Sequence, residues 1–226
     1  MTTKIKKVNG AFGVDFSVTN TVSDSSLKKV SQQLLSHGVT SYCPTLISCE
    51  PSTYRTILPV FAKQVKMQKS SNQPQPSSSS FSPPPHISRP QARILGVHLE
   101  GPFFEPSKRG AHPLPCILDP IDGISTVEKV YGKEFLYNDD DLDEPGSSGL
   151  TRIITLAPER PGALSAIREL TGNQMNPNSP KIVVSCGHSN ATFKQGQEAV
   201  QNGASLITHL FNAMRPFHRK KILFVD

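Results

Sequence analysis

The 226-residue chain contains no GxSxG, P-loop or GxGxxG motif. Serine-hydrolase and nucleotide-binding readings therefore have no motif behind them. No window approaches the roughly 20 apolar residues that a membrane span requires. The N-terminal stretch MTTKIKKVNGAFG is basic but lacks the apolar h-region of a secretory signal. The expected location is cytoplasmic, with no membrane partner. The four cysteines, Cys43, Cys49, Cys116 and Cys186, form no CxxC pair, which argues against a disulfide framework or a cysteine zinc site. Cys43 and Cys186 read as buried strand residues.

What is present is a chain of 24.6 kDa, 36% hydrophobic and 19% charged, a balance that fits a soluble globular protein diluted by polar low-complexity sequence. The net charge is +6 with a pI near 9.2. The basic residues are scattered, apart from one cluster at Arg219 to Lys221, and no aromatic residues are interleaved with them. That distribution argues against nucleic acid as a partner, and a phosphorylated small substrate accounts for modest positive charge as well.

Short β-branched runs alternate with helical segments, the pattern of a parallel α/β architecture. Strands are expected just before Asn9 and over Gly38 to Thr45, Arg93 to Leu99, Leu150 to Leu156, Lys181 to Cys186 and Gly203 to Thr208. Helices are expected over Ser25 to Ser36, Pro51 to Val65, Pro120 to Val130, Pro158 to Leu170 and Asn190 to Asn202. The low-complexity insertion 66–92 contains SSNQPQPSSSSFSPPP, too polar to offset the entropy of ordering it. A second polar insertion spans 133–149. The fold class is α/β, a partial (β/α)₈ barrel with about six of its eight strand-helix units.

Glu100, His188 and His209 each follow an apolar strand immediately or within two residues. In a parallel barrel the C-terminal strand ends converge on one face, where such enzymes place their active sites. A carboxylate and two imidazoles with open positions form a catalytic ligand set for one divalent metal ion, zinc or a similar transition metal. The glycines in Glu100-Gly101-Pro102 and Gly187-His188-Ser189 place these candidates in sharp turns. The acidic run Asp139 to Glu144 lacks the spacing of a calcium loop. His112 and His218 have no obvious partners.

The blocks Asn9-Gly10-Ala11-Phe12-Gly13-Val14-Asp15-Phe16, Gly38 to Thr45, His98-Leu99-Glu100-Gly101-Pro102-Phe103, Lys108-Arg109-Gly110-Ala111-His112, Thr155-Leu156-Ala157-Pro158-Glu159, Gly187-His188-Ser189 and Thr208 to Met214 occur in this order. In order and approximate spacing they resemble the N-acetylglucosamine-6-phosphate deacetylase family, a branch of the amidohydrolase superfamily. The resemblance implies that Glu100, His188 and His209 bind the metal and that Ala111, Asn212 and Ala213 contact the substrate. It implies hydrolysis of N-acetylglucosamine 6-phosphate to glucosamine 6-phosphate and acetate, and a possible homodimer. It also implies a flanking β-sandwich, two further barrel strands and a catalytic aspartate that have no counterpart in this sequence. Asp226 lacks the matching context and receives no role, and 219–226 reads as a divergent tail. The expectation is that the chain alone is inactive or nearly so. The alternative is a non-catalytic chain that retains metal or sugar-phosphate binding. A cyclic amidohydrolase would usually bring a His-x-His pair on the first strand, and none is present.

Overall fold

The computed structural model describes residues 5–70, 90–137, 149–172 and 182–216. Strands β1 (Ile5–Val8), β4 (Ser41–Ile47), β6 (Val97–Glu100), β7 (Thr151–Leu156), β8 (Val183–Cys186) and β9 (Leu206–Ile207) form one sheet in that order. Every neighbouring pair is parallel. β5 (Arg93–Ile94) pairs with β4, and β2 (Gly10–Ala11) with β3 (Val14–Asp15) makes a separate antiparallel hairpin. Helices α1 (Asp24–Ser36), α2 (Pro51–Ser70), α3 (Ile124–Tyr131), α4 (Lys133–Leu136), α5 (Ala163–Leu170) and α6 (Phe193–Gln201) fill the crossovers. Strands that pair in sequence order, each followed by a helix, wind as a barrel, whereas a doubly wound sheet reverses its order midway. The sheet is thus a half-barrel of six strands.

Local chemistry explains the elements. β4 and β6 are buried along nearly their whole length, as expected when a parallel sheet is covered on both faces. α1 buries Leu27, Val30, Ser31 and Leu34 at helical spacing. Its start is fixed by a reciprocal cap in which Ser23 Oγ accepts from Ser26 N and Ser26 Oγ accepts from Ser23 N. α6 begins with the same device, built from Thr192 and Gln195. No helix among the described residues is long and apolar enough to cross a membrane.

The core between strands and helices is anchored by aromatic side chains. Phe16 meets Phe61 edge-on at 5.7 Å and Tyr42 at 6.4 Å, while Tyr131 contacts Tyr54 at 5.0 Å and Phe103 at 5.9 Å. Phe61 is fully buried. Phe61→Ala should therefore cost about 3–5 kcal/mol, read as a shift of the urea midpoint against the parent chain.

Several expected boundaries move. α2 runs on to Ser70, into the stretch expected as an insertion, because the buried Gln68 is held by tertiary contacts: its Nε2 donates to Ala92 O at 3.4 Å and its Oε1 accepts from Ile94 N at 2.8 Å. The second insertion opens with α4. The strand expected over Arg93 to Leu99 splits into β5 and β6 at Gly96, which has φ 129. α5 begins at Ala163 rather than Pro158, since residues 157–162 form a turn that ends at Gly162 with φ 81. The acidic run Asp139 to Glu144, His218 and the tail 219–226 lie outside the described residues.

Candidate metal centre

Beneath the C-terminal strand ends runs a belt of buried polar side chains. His98 Nδ1 pairs with Thr45 Oγ1 at 3.1 Å and His98 Nε2 with Thr155 Oγ1 at 2.7 Å. Thr155 Oγ1 meets Thr208 Oγ1 at 2.8 Å, and Thr208 Oγ1 meets Ser185 Oγ at 2.7 Å. The belt joins β4, β6, β7, β8 and the residue after β9. Each buried polar group thereby finds a partner. It also aligns the strand ends that carry the site.

Two residues beyond His98 on the same strand, and so on the same face, stands Glu100. It is 3.2 Å from His188 Nε2 and 3.4 Å from His209 Nε2, and the two Nε2 atoms are 2.9 Å apart. Sequence reasoning named these three residues, and the fold brings them together. Glu100 and His188 are buried, whereas His209 is exposed. Both imidazoles are oriented by backbone carbonyls: His188 Nδ1 lies 2.8 Å from Lys108 O and His209 Nδ1 lies 3.0 Å from Asn212 O. A carbonyl can only accept, so each Nδ1 carries a hydrogen. In the neutral rings, each Nε2 therefore turns a lone pair toward the other and toward the Glu100 carboxylate. Three lone pairs at such distances require a proton or a cation between them.

A divalent cation satisfies that requirement. Ligand atoms about 2.0–2.1 Å from a tetrahedral ion lie about 3.3 Å from one another, which matches separations of 2.9 to 3.4 Å. The donor set and its outer contacts therefore fit a zinc-like ion. Burial tends to raise the Glu100 pKa, but the His188 hydrogen bond and the neighbouring His98, His112 and His188 outweigh it and bring it down to about 2. Glu100 is accordingly anionic at neutral pH.

The structure adds His112, for which the sequence had suggested no partner. It is buried in the loop after β6, and its ring lies 4.6 Å from that of His188. Ligand atoms of Glu100, His112 and His188 fall within 4.8 Å of one another, so this trio is a second possible metal-holding set. Its hydrogen bonding differs, however. His112 Nδ1 accepts from Ser48 N at 3.1 Å and is 2.8 Å from Ser48 Oγ. With Nδ1 accepting, the neutral ring carries its proton on Nε2 and is a donor there. Burial and the nearby His188 lower the His112 pKa to about 4, which keeps the ring neutral. Glu100 with His188 and His209 is the more closely spaced set, its ligand atoms 2.9 to 3.4 Å apart.

Backbone strain is concentrated in the same loops. His188, His209, Phe211 and Ala213 have φ of 50, 36, 72 and 51, a left-handed region uncommon for residues other than glycine. Gly101, next to Glu100, has φ 86, and a Cβ there would collide with Ser48 Oγ. Phe104 stacks on His188 with ring centroids 4.2 Å apart. Of the expected substrate contacts, Ala111 is exposed directly before His112, Asn212 lends its carbonyl to His209, and Ala213 O accepts from Ser189 N at 3.1 Å.

No protein-family profile matches the chain. Comparison with curated proteins gives a consistent result. The chain is 37% identical over 216 residues to the N-acetylglucosamine-6-phosphate deacetylase of Danio rerio, covering 95% of this chain and 43% of that protein. It is 39% identical to the Bos taurus enzyme of the same name over 215 residues, covering 95% of this chain and 42% of the relative. The chain is a relative of the N-acetylglucosamine-6-phosphate deacetylases. It spans less than half the length of these relatives. The fold agrees: the crystal structure of the Mycobacterium smegmatis deacetylase superimposes with a TM-score of 0.64 at 26% identity, covering 96% of this chain and 44% of that one. A mutant of that enzyme has been solved in complex with N-acetyl-D-glucosamine-6-phosphate. The resemblance read from the sequence blocks and the partial barrel read from the alternation of strands and helices are both borne out.

Proposed function

We propose that Glu100, His188 and His209 hold one divalent metal ion and belong to a site for hydrolysis of the acetamide of N-acetylglucosamine 6-phosphate, whose proton-transferring aspartate has no counterpart in this sequence. The observation that carries this reading is the convergence of a carboxylate and two imidazoles whose Nδ1–H groups are occupied by Lys108 O and Asn212 O. When bound, such an ion polarises a carbonyl and makes water a competent nucleophile at neutral pH. Glu100 supplies the negative charge of the donor set, and the two carbonyls fix the imidazole tautomers. His112, with its proton on Nε2, donates to an oxygen of the substrate. Ala111, Asn212 and Ala213, on the loops flanking the imidazoles, contact the sugar phosphate. The setting is cytoplasmic amino-sugar breakdown.

The test is to measure binding of N-acetylglucosamine 6-phosphate to the zinc-loaded chain, together with acetate release. Binding that depends on zinc and disappears in Glu100→Ala is the expected result. Failure to bind at millimolar substrate contradicts the reading. Acetate release separates hydrolysis from the second reading, a metal- and sugar-phosphate-binding chain without turnover.

A further inference from the structure

Glu159 lies in the turn between β7 and α5, outside the donor set, yet it grips the loop that carries His188. Its Oε2 accepts from Ser189 Oγ at 2.6 Å, and its Oε1 accepts from the backbone N–H of Asn190. These are the first two residues after His188. Ser189 is 2% exposed, and its Oγ also accepts from Ala191 N at 2.9 Å. His188 itself is held at φ 50, a conformation that persists in a non-glycine residue only when its surroundings over-determine it. A carboxylate suits the task because two donors converge on it and each finds its own acceptor oxygen, in bonds that are stronger for being charge-assisted.

The grip extends further. Ser189 N donates to Ala213 O at 3.1 Å, in the loop whose Asn212 carbonyl orients His209. Asn190 Nδ2 donates to Ser107 Oγ at 2.9 Å, tying the same loop to the one after β6. One carboxylate thus braces the turns that carry both imidazoles.

We infer that Glu159 is a positioning residue for the metal centre, clamping Ser189 and Asn190 so that His188 keeps its left-handed turn and faces Glu100 and His209. The inference rests on the metal reading above and is tested separately from it. Cobalt(II) affinity by chelator competition, the visible spectrum of bound cobalt, and the thermal midpoint of the metal-free protein are measured for the 226-residue chain and for Glu159→Ala, Glu159→Gln and His188→Ala. Changes outside the ligand set typically weaken metal binding by 10–100-fold. Glu159→Ala is therefore expected to raise the cobalt Kd about tenfold and alter the cobalt spectrum, with little change in the metal-free midpoint. Glu159→Gln keeps an acceptor for one donor and is expected to fall between parent and alanine. It decides the question if the alanine variant does not fold. A Kd within about twofold of the parent in the folded variants overturns the inference, as does a lowered midpoint with unchanged cobalt affinity. An unchanged Kd in His188→Ala overturns the metal reading instead.

Discussion

Glu100→Ala should abolish tight zinc binding, raising the Kd by more than about 100-fold, beyond the loss typical of changes outside the ligand set. Glu100 is the anion of the trio, 3.2 Å and 3.4 Å from the two Nε2 atoms, and a dication held by imidazoles alone loses its main electrostatic partner. Glu100→Gln keeps the shape and one acceptor oxygen but removes the charge, so its Kd should lie between parent and alanine. Chelator competition at pH 7 measures both. Zinc should also raise the thermal midpoint of the parent in a concentration-dependent way and leave that of Glu100→Ala unmoved. Equal zinc affinity in parent and alanine variant would exclude Glu100 as a ligand.

His98→Ala should destabilise the fold by about 3 kcal/mol, because it opens a cavity under the site, takes away the His98 partner of Thr45 and leaves Thr155 with Thr208 alone. The histidine is 1% exposed and bonded at both nitrogens. Its effect is also pH-dependent. Burial first, then the charge of Lys7, lowers its pKa from 6.5 to about 3, with Glu100 opposing. Between these values the unfolded chain binds a proton that the native state does not. The stability contributed by neutral His98 is therefore complete above about pH 6.5 and is lost progressively as the pH falls toward 3. Urea unfolding at a series of pH values should show the gap between parent and His98→Ala narrowing on acidification. A gap that widens, or stays constant from pH 7 to 4, would contradict this account.

How much of the site was legible in the sequence depended on what each residue follows. Glu100, His188 and His209 end apolar strands, and parallel strands in a barrel bring such ends to one face, so linear position was enough to expect their proximity. His112 follows no strand. It lies in a loop, and its ring is set by Ser48, 64 residues away, a contact that no periodicity encodes. The block Lys108 to His112 is the available signal. The polar belt was partly visible as single hydroxyl residues within apolar strands, such as Thr155 in β7 and Ser185 in β8, but their mutual bonding depends on strand register. The length of α2 was hidden for a similar reason: Gln68 looks like the start of a polar insertion until it is seen bonded to Ala92 and Ile94. Glu159 has no local signal of its task, since its partners Ser189 and Asn190 are 30 and 31 residues on.

The central claim is that one ion sits among Glu100, His188 and His209. X-ray absorption of the protein loaded with one equivalent of zinc tests it most directly. The account predicts one zinc per chain with two imidazole nitrogens and oxygen ligands at about 2.0–2.2 Å, and loss of the imidazole signal in the double variant His188→Ala/His209→Ala. Zinc bound without imidazole, or an imidazole signal that survives in the double variant, would contradict it.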